Sequence, residues 1–330
     1  MSSAVQFYIA TDLVLFGVDL IACWALNLQL RTGVLNFAFI IFQAAGAYTA
    51  AILTLGPSSA HGNIQSYIGG MTLPFPLPWV AACACGAAIA VPLGLIVLPR
   101  LRGSYEALAF LVMSLIATQL AEALQGVANG PTGLALIPQP LAGVVHLSPL
   151  AYTWFYVGLT GAVCVGVYWF VARVTGSPLG RKLRAIHDNE AAAEALGKNV
   201  TWARLTVFVA GGALAALSGA VLVGFIGAWS PSSWRYPETF VLATAVIVGG
   251  WGNNLGVLIG TAAVPVGFFE ITRFFPTFGP PGFIDAVQWM AIGLLILLFL
   301  WFRPDGILPE GRHRWRRGRP ASAAAPGAPG

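Results

Sequence analysis

The sequence predicts an all-α, polytopic membrane protein of about nine spans, and three observations carry that prediction. Hydrophobic types make up 57% of the 330 residues and charged types only 9%, where a soluble domain usually carries about 25% charge. A spanning helix takes roughly 20 apolar residues, so nine would use about 180, close to the apolar share present. No polar stretch is long enough to form a second, soluble domain, although chain length alone suggests two domains. The net charge of +5 comes from basic residues lying between and after apolar runs, which is a membrane pattern and not a nucleic-acid face. Cys23, Cys83, Cys85 and Cys164 all sit inside apolar runs without metal or disulfide spacing and read as small buried hydrophobes.

Apolar windows of spanning length, bounded by Gly, Pro and charge, fall at 5–28, 33–55, 79–98, 105–126, 150–172, 204–227, 239–250, 255–272 and 283–302. The first has no Lys or Arg before it and contains Asp12 and Asp19, so it reads as a retained span and not a cleaved signal. The seventh is short for a crossing. It runs into Gly249-Gly250-Trp251-Gly252-Asn253-Asn254, which is either a tight turn or a place where two broken helices meet inside the protein.

With nine crossings and the C-terminus inside, the inner side carries Arg31, Arg100, Arg102, the basic residues from Arg173 to Arg204 and those from Arg303 to Arg319. Only Arg235 and Arg273 of the 17 basic residues remain outside, which predicts an N-out, C-in orientation. The outer loops near 56–78 and 127–149 contain no Lys or Arg. Trp79, Tyr105, Tyr152, Trp154, Trp229, Trp234, Tyr236 and Trp301 lie near window boundaries and are expected to anchor the chain at the headgroup level. Residues 1–310 thus form the membrane domain. The tail at 311–330 is basic, then rich in Ala, Pro and Gly, cannot bury a core, and is expected to be held by anionic lipid.

The longest polar segment between spans, 173–203, has its own helix grammar. Ser177 is a candidate N-cap followed by Pro178, and Gly197 is a candidate stop. Between them Leu183, Ile186, Ala193 and Leu196 recur at helical spacing, and Arg184 pairs with Asp188 at i,i+4. One or two short amphipathic helices are expected, either lying on lipid or docking into a groove on a partner. Glu190 and Glu194, one turn apart, would sit badly beside an anionic leaflet, which favours the partner.

The run Arg181-Lys182-Leu183-Arg184-Ala185-Ile186, continuing through Asp188-Asn189-Glu190 to Glu194-Ala195-Leu196-Gly197-Lys198-Asn199-Val200, resembles the coupling segment of branched-chain amino-acid ABC transporter permeases of the M type. Further stretches agree in order. They are Leu26 to Gly33 with Asn36-Phe37 and Gly46-Ala47-Tyr48, then Leu101-Arg102-Gly103-Ser104-Tyr105 and Asn129-Gly130-Pro131-Thr132-Gly133-Leu134. Gly249 to Gly252 with Gly256 and Phe302-Arg303-Pro304-Asp305-Gly306 complete the set. The resemblance covers about residues 10–310. It implies a permease of a bacterial inner membrane that pairs with a second, similar permease and two ATP-binding cassette subunits, fed by an extracytoplasmic solute-binding protein. It also implies an ATPase-coupling role for Arg184, Asp188, Glu190, Glu194, Leu196 and Gly197.

The chain has no G-x-x-x-x-G-K-[ST] phosphate loop, so Mg-ATP is expected on the partner subunits and no cofactor on this chain. Asn36, Gln43, Gly249, Gly250, Asn253 and Asn254 are candidates for lining the translocation path, since half-helix ends supply dipoles for a zwitterion. Against this, glycines in spans commonly permit close packing and a lone Asn or Gln commonly makes one interhelical bond. Phe39, Ile40 and Ile41 stand where many members of the resembled family carry smaller residues and a histidine. Leucine, isoleucine and valine are the default solutes, with urea, short amides and aromatic or carboxylic solutes as alternatives. Asp12 and Asp19 share a face of the first span, Glu122 lies in another, and Glu270 is expected to pair with Arg273. A proton relay through such acids would make a secondary transporter or channel, the rival mechanism. His61, His146, His187 and His313 are scattered, and no constellation supports catalysis.

Overall fold

The computed structural model describes residues 3–57, 65–145, 147–234, 236–268, 283–303 and 306–308. Among them the chain is helical, with two isolated β-bridges and no strand. Five helices are long and apolar enough to cross a membrane: α1 (Ser3–Leu30), α3 (Leu77–Val97), α4 (Ser104–Ala123), α5 (Pro149–Gly176) and, after two short helices, α8 (Val200–Ile226). The two short helices are α6 (Pro178–Asp188) and α7 (Glu190–Ala195), which together form an elbow at one end of the bundle. The remaining helices are α2 (Phe39–Leu55), α9 (Tyr236–Gly249), α10 (Asn254–Thr261) and α11 (Phe283–Phe302). A helix therefore falls in each of the nine apolar windows, but not every window is a full-length span.

Two interruptions explain the difference. After α1 the chain turns at Arg31–Gly33, and residues 34–36 have no regular structure before α2 starts at Phe39. The α9 helix has 14 residues, about 21 Å at 1.5 Å per residue, short of the roughly 30 Å hydrocarbon layer. It turns through Gly250–Asn253 into α10, which continues as a π-helical turn at Ala262–Phe268 containing Pro265. Proline has no N–H to donate and crowds the carbonyl four residues earlier, and the widened turn absorbs both effects.

The core is built around α8, which packs on α2, α3 and α1, while α1 also packs on α5. The α2–α8 contact depends on small residues. A Cβ on Gly46 would overlap the Ala216 carbonyl, and one on Gly219 would overlap the Gln43 carbonyl. Without such positions the backbones could not approach, and close van der Waals packing is what holds helices together in lipid.

The end away from the elbow is capped by loops. Asn129, at φ 61°, donates through Nδ2 to Thr132 Oγ1 (2.9 Å) and the Gly133 carbonyl (2.7 Å), and its Oδ1 accepts from the Ser66 amide (3.1 Å). Leu134 and Trp229 exchange both backbone bonds at 2.7 Å. Here the expectation of aromatic anchors is corrected for four residues. Trp79, Tyr152, Trp229 and Trp234 are buried beneath this cap, and Tyr105, Trp154 and Trp301 are exposed. The four buried rings belong to one apolar cluster, in which Trp234 meets Tyr48 with ring centroids 6.3 Å apart. Cys23 and Cys164 are buried, and all four cysteines are free. His61, His146, Arg235, Glu270, Arg273, His313, Pro304, Asp305 and the tail at 311–330 lie outside the described residues, as does the side chain of Tyr236.

Candidate functional site

The elbow is set by side-chain caps. Ser177 Oγ accepts from the Gly180 amide (3.4 Å) to start α6, Asn189 Oδ1 accepts from the Ala192 amide (3.0 Å) to start α7, and Asn199 Oδ1 accepts from the Trp202 amide (3.0 Å) to start α8. Each cap supplies an acceptor to an otherwise unpaired N–H at a helix start. Gly197, at φ 72°, ends α7 in the left-handed region that a β-branched residue resists. Leu183, Ile186 and Ala193 bury against Leu28, Val200, Ala203 and Val207, and each of the two large side chains contributes about 1.5–3 kcal/mol by leaving water. Leu196 does not join this stripe. It is 77% exposed, and Trp202 in the first turn of α8 is 62% exposed.

The elbow is braced to the bundle by charge. Arg204 on α8 meets Glu106 on α4 at 2.5 Å with both side chains buried, and Arg204 Nη1 lies 3.6 Å from Glu190. Arg102 reaches Glu190 at 3.7 Å and Glu194 at 3.1 Å. Glu190 and Glu194, read from the sequence as ill-suited to an anionic leaflet, are thus both faced by arginines of the same chain. The buried pair matters most, since removing one partner strands the other charge. Sequence reasoning did not single out Glu106 or the role of Arg204. The signal present was a glutamate one turn into an apolar helix, which must find a partner at that depth.

The two interruptions are tied to the end of α1. Asn27 Oδ1 accepts from the Gly252 amide at 2.8 Å, and Asn27 Nδ2 donates to Asn254 Oδ1 at 3.3 Å. Trp24 Nε1 donates to the Asn254 carbonyl at 2.9 Å, and Arg31 donates to the Gly252 carbonyl and to Asn254 Oδ1. Spaced three and four apart, Trp24, Asn27 and Arg31 lie on one stripe of α1. Gln29, on another face, donates to the Phe208 carbonyl (3.1 Å) and accepts from Asn36 Nδ2 (2.9 Å), while Asn36 Oδ1 accepts from the Ala38 amide (3.0 Å). Asn36 thus holds the first interruption and α1 holds the second.

The interruptions extend into the bundle. Cys23 Sγ meets the Leu242 carbonyl at 3.7 Å. One turn further from the elbow on each helix stand Asp19 and Glu238. Asp19 is about 17 Å along the axis from the end of α1, near the middle of a hydrocarbon layer. Close by, Phe37 ahead of α2 packs on Phe240 in α9, with centroids 4.9 Å apart. At the elbow end, Arg31, Arg184, Gly252, Asn253 and Asn254 border a cavity of about 360 Å³.

These contacts locate the sequence candidates. Asn36 and Gln43 are buried, and Asn36 bonds Gln29 and the Ala38 amide. Gly249 packs on Gly256, where a Cβ on either would overlap the other's carbonyl, and Gly250 has φ 109°. Asn253 caps α10 through the Leu255 amide at 3.0 Å. Of the elbow candidates, Glu190 and Glu194 join the brace, Arg184 borders the cavity, and Asp188 is exposed.

Long apolar helices, two helix interruptions and a polar elbow fastened beside both are the features of a helical membrane protein. The chain belongs to the family described as branched-chain amino acid transport system / permease component, whose model matches residues 8–301. It is similar to the high-affinity branched-chain amino acid transport system permease protein LivM of Salmonella typhimurium and of Escherichia coli. Identity to each is 27% over 302 residues, covering 85% of this chain and 65% of the relative. The chain thus spans about 65% of the length of these curated relatives. It is also similar to the fructose import permease protein FrcC of Rhizobium meliloti, 26% identical over 284 residues, covering 81% of this chain and 75% of the other. No solved structure is a significant match.

Proposed function

We propose that this chain is the transmembrane permease subunit of an ATP-binding-cassette importer for branched-chain amino acids, working by alternating access in a bacterial inner membrane. The observation that carries the reading is the elbow: two capped helices, braced at the bundle end where both interruptions emerge, presenting exposed Leu196 and Trp202. On this reading the elbow end is cytoplasmic, which gives N-out, C-in topology, and the unwound segments complete the short crossings. Two ATP-binding subunits carry Mg-ATP and grip the elbow at Arg184, Asp188, Glu190, Glu194, Leu196 and Gly197. A second, homologous permease closes the path, and an extracytoplasmic binding protein delivers the solute. Asn36, Gln43, Gly249, Gly250, Asn253 and Asn254 shape the path by fixing the two interruptions that border it.

The test is uptake by the complete transporter in proteoliposomes, with labelled leucine, valine and isoleucine and with urea and fructose as competitors. Leucine accumulation that requires ATP inside the vesicle supports the reading. Preferential displacement by urea or fructose would overturn the solute class. Glu194→Lys, which repels Arg102, and Gly197→Val, which strains the end of α7, should each lower uptake per ATP hydrolysed.

Asp12, Asp19 and Glu238 favour a second reading, a proton-coupled carrier or channel, because ionisable groups at membrane depth commonly serve proton relays. That reading requires uptake without ATP-binding subunits, abolished by collapsing a proton gradient. Full ATP-driven uptake by the Asp12→Asn, Asp19→Asn double variant would exclude it.

A further inference from the structure

We infer that His187 is a positioning residue that passes the elbow's motion to both helix interruptions at once. The inference rests on the ATP-driven reading above and adds to it the side chain that transmits the stroke. His187 lies in the last turn of α6, and its ring sits on Trp251 with centroids 4.5 Å apart. On its other side it lies against the first interruption, where a Cβ on Gly33 would be 3.6 Å from His187 Nδ1. The ionic brace, in contrast, runs from the elbow to α4 and α8 and reaches neither interruption.

Trp251 is built to receive a push. It stands between Gly250 at φ 109° and Gly252 at φ 86°, so one large side chain projects from a strap of two glycines. Its ring packs on the main core cluster, and the Gly252 amide and carbonyl are both bonded to α1 side chains. A displacement of Trp251 therefore moves the strap and the end of α1 together. From there, α9 runs as a continuous helix to Phe240, and the segment after Gly33 runs to Phe37. Those rings touch, Phe240 lying about 14 Å along α9 from Gly249. One lever at His187 thus acts on both members of the aromatic contact between the chain ahead of α2 and α9.

The test uses the complete transporter in proteoliposomes, with labelled leucine as the probe. His187→Ala should lower uptake per ATP hydrolysed about tenfold, the size of a strong coupling between sites. His187→Phe, which keeps a ring on Trp251, should stay within about twofold of wild type, and the His187→Ala, Trp251→Ala double variant should lose no more than the worse single variant. A second readout needs no solute. In a background lacking the four cysteines, Leu35→Cys places a thiol at an exposed position of the first interruption. Its maleimide reactivity should change between nucleotide-free and ATP-vanadate states, and His187→Ala should remove the change.

A ratio unaltered by His187→Ala, losses that multiply in the double variant, or a His187→Phe variant as poor as His187→Ala would each overturn the inference while leaving the importer reading intact. A wild-type transporter with neither ATP-driven uptake nor nucleotide-dependent labelling would instead overturn both.

Discussion

The two interruptions solve one problem by different means. An unwound segment inside a membrane protein must pair its backbone groups without help from water. The first, between α1 and α2, is largely self-supporting, since Asn36 spans from Gln29 to the Ala38 amide within a few residues. The second, between α9 and α10, relies on distant parts of the chain. Its amide and carbonyl at Gly252 are met by Asn27 and Arg31, and the carbonyls of Val248 and Gly249 accept from Ile307 (2.9 Å) and Leu308 (3.0 Å). A locally tied segment can shift without disturbing its neighbours, whereas one held by two distant regions couples them. The second interruption is therefore the better relay and the more fragile element.

Substitutions separate these roles. The largest effect is expected from Gly249→Val, because the new side chain would overlap the Gly256 carbonyl and open the α9–α10 seam. Loss of monodisperse protein in detergent size-exclusion chromatography would show it. Away from both interruptions, Arg204→Ala leaves Glu106 buried and unpaired and should cost about 3–5 kcal/mol, read as a fall in the thermal midpoint. Asn27→Leu strands the Gly252 amide and should cost about 1–3 kcal/mol, while Asn36→Ala removes one local tie and should fall near the lower end of that range. Equal losses for Asn27 and Asn36 would remove the contrast between the two segments. The smallest effect belongs to Glu194→Gln, whose exposed contact with Arg102 is worth less than about 1 kcal/mol and fades with salt. A salt titration of the thermal midpoint would detect it.

Much of this was legible in the sequence because it is local. Apolar windows gave the helices, Ser177 and Gly197 marked the elbow, and the run from Gly249 to Asn254 flagged the second interruption. What stayed hidden depends on pairs far apart in the chain. Glu106 and Arg204 are separated by 98 residues, and no periodicity connects them. Trp79 and Trp234 look like interfacial residues until the loops that cover them are known. The π-helical turn at Pro265 was readable only as a proline in an apolar run. The candidate polar residues were found, but their partners were not: Asn36 meets Gln29 and Asn254 meets Asn27.

The segment of residues 306–308 that closes over Val248 and Gly249 has a bearing on biosynthesis. These residues are translated only after α11, so the α9–α10 hairpin enters the bilayer with the carbonyls at its tip still waiting for their donors. The final clasp must be fastened after the last helix has left the insertion machinery, and a nascent chain stalled before Arg303 would carry an unfinished joint at the point on which its moving parts converge.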